Sequence, residues 1–146
     1  MKNVSFYLIP KSDVCYIFEE ESVGQGLRTI RKRGYQAVPV IDKDGRYCGT
    51  VTEGDFLWTL TTEFHNDYDA LKHVTLGKLR KRWDYKAVSA DADITELDEY
   101  IINQNFVPVV DSRGIFIGII TRKVIMSVLL QKYRAMVDRY GELTDS

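Results

Sequence analysis

Apolar positions in this chain gather into short unbroken runs that end at glycine turns. These runs alternate with stretches in which apolar residues recur every three or four positions. The runs 37–41 (Ala-Val-Pro-Val-Ile) and 106–110 (Phe-Val-Pro-Val-Val) are continuous and rich in β-branched residues, the pattern of strands buried on both faces. Lys43-Asp44-Gly45 and Ser112-Arg113-Gly114 follow them as turn chemistry, and apolar strands resume at 47–51 and 115–120, so two β-hairpins are predicted. Ahead of the hairpins, Leu27 and Ile30, and then Ile94, Leu97 and Ile101, have helical spacing. Behind them, Thr52 and Thr121 are candidate N-caps for helices through Phe56, Leu57, Leu60 and Phe64, and through Ile125, Leu129, Tyr133, Met136 and Tyr140. A short strand is expected near Phe18 and another near Val88.

The two hairpins are copies of one unit. Val38-Pro39-Val40-Ile41-Asp42 returns 69 residues later as Val107-Pro108-Val109-Val110-Asp111, and the same offset carries Gly45 onto Gly114, Gly49 onto Gly118, Val51 onto Ile120 and Thr52 onto Thr121. Upstream the matching offset is 70, with Val4 on Val74, Ser5 on Thr75, Phe18 on Val88 and Leu27 on Leu97. One residue is therefore missing from the second copy between helix and strand. The expected architecture is α/β (α+β), with two βαββα repeats at 1–66 and 67–146 packed as one pair around a two-sheet core.

Composition narrows the function classes. The chain has 146 residues, a formal net charge of −1 from 20 basic and 21 acidic residues, 45% hydrophobic and 28% charged residues. Such a balance suits an ordinary globular protein and argues against a general polyanion binder. No apolar run approaches the ~20 residues a membrane span needs, and the N-terminus lacks a signal-like apolar region, so the expected location is the cytoplasm. Cys15 and Cys48 share no metal-ligand spacing and have no Cys or His nearby, so reduced, part-buried thiols are expected and no metal. Gly24-Gln25-Gly26 lacks the preceding strand, third glycine and later acidic residue of a dinucleotide fingerprint. His65 and His73 have no paired nucleophile or carboxylate. No catalytic grouping assembles, and an enzyme is not expected.

Two motifs in register, apolar-Pro-apolar-apolar-Asp, a glycine turn, then Gly-x-apolar-Thr-x-x-Asp, occur at 38–55 and, except at the last position, at 107–124. In these residues the chain resembles the CBS domain, the repeat named after cystathionine beta-synthase. The resemblance implies a tandem pair with two symmetry-related clefts for adenosine-containing ligands, usually assembled as a homodimer. It also implies a regulatory role on a partner protein that the sequence does not name. Carried over by position, site A would use Thr52, Gly54 and Asp55 with Lys81, Asp84, Lys86, Gln104, Asn105 and Phe106. Site B would use Thr121, Arg122 and Lys123 with Cys15, Tyr16, Ile17, Tyr35, Gln36 and Ala37. Asp55 would hold ribose hydroxyls, although Thr-x-x-Asp is also a capping box. Val124 stands where site B would need that Asp, so the two sites are not expected to be equivalent, and a mononucleotide should bind site B more weakly or in another pose unless Arg122 and Lys123 grip its phosphates instead.

The implied ligands are AMP, ADP, ATP or S-adenosylmethionine. Thr121-Arg122-Lys123 is also similar to the run of small stand-alone CBS proteins that bind cyclic di-AMP. Basic clusters at Lys78, Arg80, Lys81 and Arg82 and at Arg28, Arg31, Lys32 and Arg33 read as solvated faces or phosphate contacts. A nucleic-acid-binding module using these clusters is the alternative, against which the near-neutral total charge weighs. The C-terminal stripe through Ile125, Leu129, Tyr133, Met136 and Tyr140 outlasts its first-copy counterpart and predicts a homodimer contact.

Overall fold

The computed structural model describes residues 3–82 and 85–144, without the side chains of 80–82 and 142–144. It contains two sheets, one per repeat. In the first, β2 (Ile17–Phe18), β3 (Ala37–Ile41) and β4 (Tyr47–Thr52) lie side by side, with β2 parallel and β4 antiparallel to β3. In the second, β5 (Val88–Ser89), β6 (Phe106–Val110) and β7 (Phe116–Thr121) repeat that arrangement, and β1 (Ile9–Pro10) adds to the free edge of β7. Among the described residues three α-helices complete the fold: α1 (Val23–Arg33), α2 (Glu53–Thr62) and α3 (Arg122–Thr144). The expected α/β architecture of paired βαββα units is present.

Each hairpin is closed by its aspartate. The Asp42 Oδ1 accepts from the Asp44 and Arg46 N–H groups at 2.9 Å each, and the Asp111 Oδ1 accepts from Arg113 at 2.8 Å and Ile115 at 3.0 Å. Desolvation pushes the Asp111 carboxyl up, but the hydrogen bonds from Ile115 and Arg113 outweigh it and hold the group below its ordinary value. Gly45 and Gly114 take φ of 88° and 83°, which only glycine adopts freely. Their carbonyls reach across to the other hairpin, accepting from Phe116 N–H at 2.9 Å and Tyr47 N–H at 3.1 Å. The halves are thereby joined turn to turn.

The apolar faces form one cluster per sheet. Val23, Ile30, Val38, Val40, Val51 and Phe56 build the first together with Leu76 and Leu79, which come from the start of the second half. Ile94, Leu97, Val107, Val109, Ile120 and Ile125 build the second together with Val4 from the chain's beginning. Main-chain bonds fix this exchange, from Val4 N–H to the Ala92 carbonyl at 2.9 Å and from Leu76 N–H to the Glu21 carbonyl at 2.8 Å.

Two expectations change in the structure. The stretch with Ile94, Leu97 and Ile101 is not an α-helix but two 3-10 turns, Ile94–Leu97 and Tyr100–Ile102. β-branched Ile94, Thr95, Ile101 and Ile102 disfavour the helix, Asp98 and Glu99 would face its negative end, and the Asp93 carboxylate ties down the Thr95 N–H at 2.9 Å and hydroxyl at 2.7 Å. The second change is the register of the leading strands. Ile17 pairs with Val40 and Val88 with Val109, so Val88 matches Ile17, 71 residues earlier, rather than Phe18. The difference is taken up after the helices, where α1 ends on Gly34 at φ 71° while the second copy has Asn103 at φ −117°.

Gly118 sits where β7 meets β1, and a Cβ there would run into the Ile9 carbonyl oxygen and the Leu8 side chain. Gly118→Ala is expected to push β1 off the sheet edge and to cost about 1–3 kcal/mol, the usual penalty of overpacking. Urea denaturation checks this; an unchanged midpoint would show that β1 does not contribute to the fold.

Candidate functional site

The two sequence-predicted sites begin at the N-termini of α2 and α3. In each repeat the first helical N–H is tied to the segment entering the central strand: Glu53 N–H donates to the Gln36 carbonyl and Arg122 N–H to the Asn105 carbonyl, both at 3.0 Å. Thr52 and Asp55 form a full capping box, with Asp55 N–H donating to Thr52 Oγ1 at 3.2 Å and Thr52 N–H to Asp55 Oδ2 at 2.8 Å. The capping alternative is therefore realised in the geometry. Gly54 is exposed, and an added Cβ would meet only the Thr52 hydroxyl oxygen at 3.7 Å. In the second copy Thr121 Oγ1 accepts from Val124 N–H at 3.3 Å, and valine cannot return the bond.

The remaining members of site A are drawn together tightly. Gln104 is 5% exposed. Its Oε1 accepts from Lys86 N–H at 2.9 Å, and its Nε2 donates to the Lys86 and Phe106 carbonyls at 3.2 Å each. Asn105 donates its N–H to the Tyr85 hydroxyl at 3.1 Å, and the Tyr85 ring lies 5.2 Å from that of Phe106. Tyr47 adds a bond from the other repeat, its hydroxyl donating to the Tyr85 carbonyl at 2.9 Å beside Thr50 Oγ1 at 2.7 Å. The Lys81 side chain and Asp84 lie outside the described residues. An open hollow of about 570 Å³ is lined by Lys86, Glu99, Tyr100, Asn103 and Gln104, on the second repeat alone.

Site B residues surround a different space. A cavity of about 210 Å³ lies between the repeats, lined by Ile9, Val14, Cys15, Tyr35, Ala37 and Phe106, among others. Cys15, Tyr35 and Ala37 of the site B set line it together, joined by Phe106 from the site A set. Ile119 also lines the cavity. Thr121 lies two residues on along β7, on the same face of the strand, and is followed by Arg122 and Lys123 at the start of α3, but none of these three is among the residues lining the cavity. Arg122 is anchored there, its Nε donating to the Gln104 carbonyl at 3.1 Å, while Lys123 is exposed. Ile17 belongs to the first apolar cluster instead, and Gln36 points its carbonyl at α2. Tyr16 packs in an aromatic group with Phe18 and Phe116, under Lys11 Nζ at 5.1 Å from its ring. Burial pushes the Cys15 thiol up, against the nearby Arg33 charge and reinforced by Glu21.

Sequence reasoning missed Tyr85 and Val14. Neither carries a motif, and only their places beside β5 and β2 give them a role. Among the described residues no group of three His, Cys, Asp or Glu side chains could hold a metal ion, and no helix is long and apolar enough to cross a membrane.

The family model for the CBS domain matches residues 7–61 and 79–131. The chain belongs to the CBS-domain family. It is similar to the cyclic di-AMP receptor B of Bacillus subtilis, 23% identical over 133 residues that cover 91% of this chain and 90% of that protein. The fold matches the crystal structure of CbpB in complex with c-di-AMP, at a TM-score of 0.78 and 23% identity, covering 95% of this chain and 91% of that one. It also matches CBSX2 in complex with AMP, at a TM-score of 0.72 and 21% identity, covering 91% and 99%.

As a capping group, Thr52 is expected to contribute about 1 kcal/mol. Thr52→Ala should therefore lower the denaturation free energy by that amount, whether or not a ligand is added. A loss several times larger would mean that Thr52 does more than cap α2.

Proposed function

We propose that this protein is a non-catalytic regulatory module that binds an adenosine-containing nucleotide in the cleft between its repeats and signals to a partner protein. The carrying observation is the cavity lined by Cys15, Tyr35, Ala37 and Phe106. It combines apolar residues such as Ile9, Val14, Ala37 and Ile119 with a few polar ones, Asp13, Cys15 and Tyr35, the usual make-up of a small-molecule site. Beside it stands the N-terminus of a 23-residue helix bearing Arg122 and Lys123, which suits phosphate. A base fits the pocket and the phosphates fit the helix start. Signalling requires the nucleotide to bind one arrangement of the repeats or of their assembly more tightly than another.

Within this reading, cyclic di-AMP is supported by Thr121-Arg122-Lys123 and by the similarity, over nine-tenths of both chains, to the Bacillus subtilis receptor. AMP is supported by the fold likeness to CBSX2. A thermal-shift series with AMP, ADP, ATP, S-adenosylmethionine and cyclic di-AMP separates them, since a ligand at 100 times its Kd stabilises by about 2.7 kcal/mol. Ala37→Phe installs in repeat 1 the side chain that repeat 2 carries at Phe106 and should fill the cavity. It is expected to abolish the shift without lowering the melting temperature of the free protein. A shift that survives Ala37→Phe, or no shift with any of the five compounds, would overturn the reading.

The same module is proposed to act as a homodimer through α3. The predicted stripe divides in the structure: Ile125 and Leu129 turn into the second cluster, whereas Tyr133, Met136 and Tyr140 are exposed. A second row, Met126, Leu130, Tyr133, Val137 and Tyr140, is 47% to 72% exposed. Its alternating steps of four and three are the seam of a two-helix contact, and a second copy of α3 offers a matching row. Sedimentation is expected to give a dimer for the native protein and a monomer for Leu130→Glu with Val137→Glu. A native monomer at tens of micromolar would remove the dimer.

A further inference from the structure

The pseudo-symmetry of the repeats gives each residue of one cleft a counterpart in the other. With β2 matched to β5 at 71 residues and β3 to β6 at 69, Val14, Cys15, Tyr35 and Ala37 correspond to Tyr85, Lys86, Gln104 and Phe106. All four residues of the first set line the open cavity of about 210 Å³. All four of the second set are instead bound to one another, through the Gln104 bonds to Lys86 and Phe106 and the Tyr85 ring on Phe106. Tyr85 is 9% exposed, a large side chain where repeat 1 has a valine.

The Gln104 contact has a further chemical character. A carboxamide presents an acceptor beside a donor, and an adenine edge presents the same pair, a ring nitrogen beside the N6 amino group. Oε1 and Nε2 of Gln104 satisfy the N–H and C=O of one residue, Lys86, which is the pairing that an adenine would make with main chain there. The network also fixes which end of the amide is which, because Nε2 faces two carbonyls. The neighbouring hollow touches Lys86 and Gln104 from the side of Glu99, Tyr100 and Asn103, and among the described residues its lining includes neither Phe106 nor any residue of repeat 1.

We propose that site A is closed by the chain itself, with the Gln104 carboxamide standing in for an adenine edge and Tyr85 filling the base pocket, so that the module takes one mononucleotide per chain, in the cleft lined by Cys15 and Ala37. The proposal rests on the reading of the two clefts as adenosine sites. Cleft A keeps its capping threonine and aspartate but has its base pocket occupied. Cleft B lacks the aspartate and has the pocket open. Gln104 and Tyr85 are thus the specificity-determining residues that make a symmetric fold bind asymmetrically.

AMP is the probe, because it occupies one base pocket at a time. Calorimetry gives the number bound per chain, and backbone amide spectra report the cleft through Cys15 and Ala37 on one side and Lys86 on the other. The native protein is expected to bind one AMP per chain, moving the Cys15 and Ala37 signals and leaving Lys86 in place. Gln104→Ala combined with Tyr85→Val should raise the stoichiometry to two and bring Lys86 into the response. Gln104→Glu combined with Tyr85→Val, which keeps the Gln104 volume but sets a carboxylate against the Lys86 and Phe106 carbonyls, should act in the same direction if the first double variant folds poorly. A native stoichiometry of two, a native response at Lys86, or folded variants that stay at one would overturn the proposal. AMP binding by the variants alone would sustain the closed site while overturning the assignment of cleft B, and no binding by any form would overturn both.

Discussion

Two main-chain hydrogen bonds, each from a hairpin N–H to the turn glycine of the other hairpin, set the relation on which everything else in this molecule depends. They require a carbonyl aimed outward at Gly45 and at Gly114, hence a backbone with positive φ, and a rigid turn behind it, hence the aspartates that gather the loop N–H groups. With the hairpins fixed turn to turn, the starts of β3 and β6 come to face the same interior space, and the helices that follow β4 and β7 start beside them. The cavity lined by Cys15 and Phe106 is a by-product of this pairing. It draws on both repeats, as do the apolar clusters that exchange Val4 and Leu76.

The parts of this design that rest on local chemistry were legible in the sequence. Continuous β-branched runs around Pro39 and Pro108, glycine turns after Asp42 and Asp111, and threonines at the heads of α2 and α3 each impose their structure over a few residues, so position alone reveals them. What depends on partners was not legible. The Ile94, Leu97 and Ile101 spacing suits an α-helix as well as tight 3-10 turns, and the outcome turns on the Asp93 cap and on acidic residues at the wrong end. The 71-residue register of β2 and β5 comes from their pairing with β3 and β6, which a one-dimensional match aligns one residue short. At the clefts, the sequence named Gln104, Lys86 and Phe106, but gave no sign that they would bond to each other, because Tyr85 enters that space only once the repeats meet.

Divergence between the repeats is marked in the helices and along the walls of the inter-repeat space and slight where the sheets are built. Strand registers and even the bulges, at Val40/Ile41 and Val109/Val110, are duplicated. The residues facing the interior cleft are exchanged in size and polarity, valine for tyrosine, cysteine for lysine, tyrosine for glutamine and alanine for phenylalanine. A scaffold under strong packing constraint can hold its backbone symmetry while its concave surfaces vary, since a cleft wall contributes little to the two apolar clusters.

The length of the last helix has a mechanical consequence. At a rise of 1.5 Å per residue, the 23 residues of α3 extend about 35 Å, and from Leu130 to Tyr140 every side chain faces solvent. Among the described residues the helix is held through its first two turns, where Arg122 grips the Gln104 carbonyl and Ile125, Val128 and Leu129 pack on the second cluster. Such geometry converts a tilt of a few degrees at the packed base into a displacement of ångströms at Tyr140.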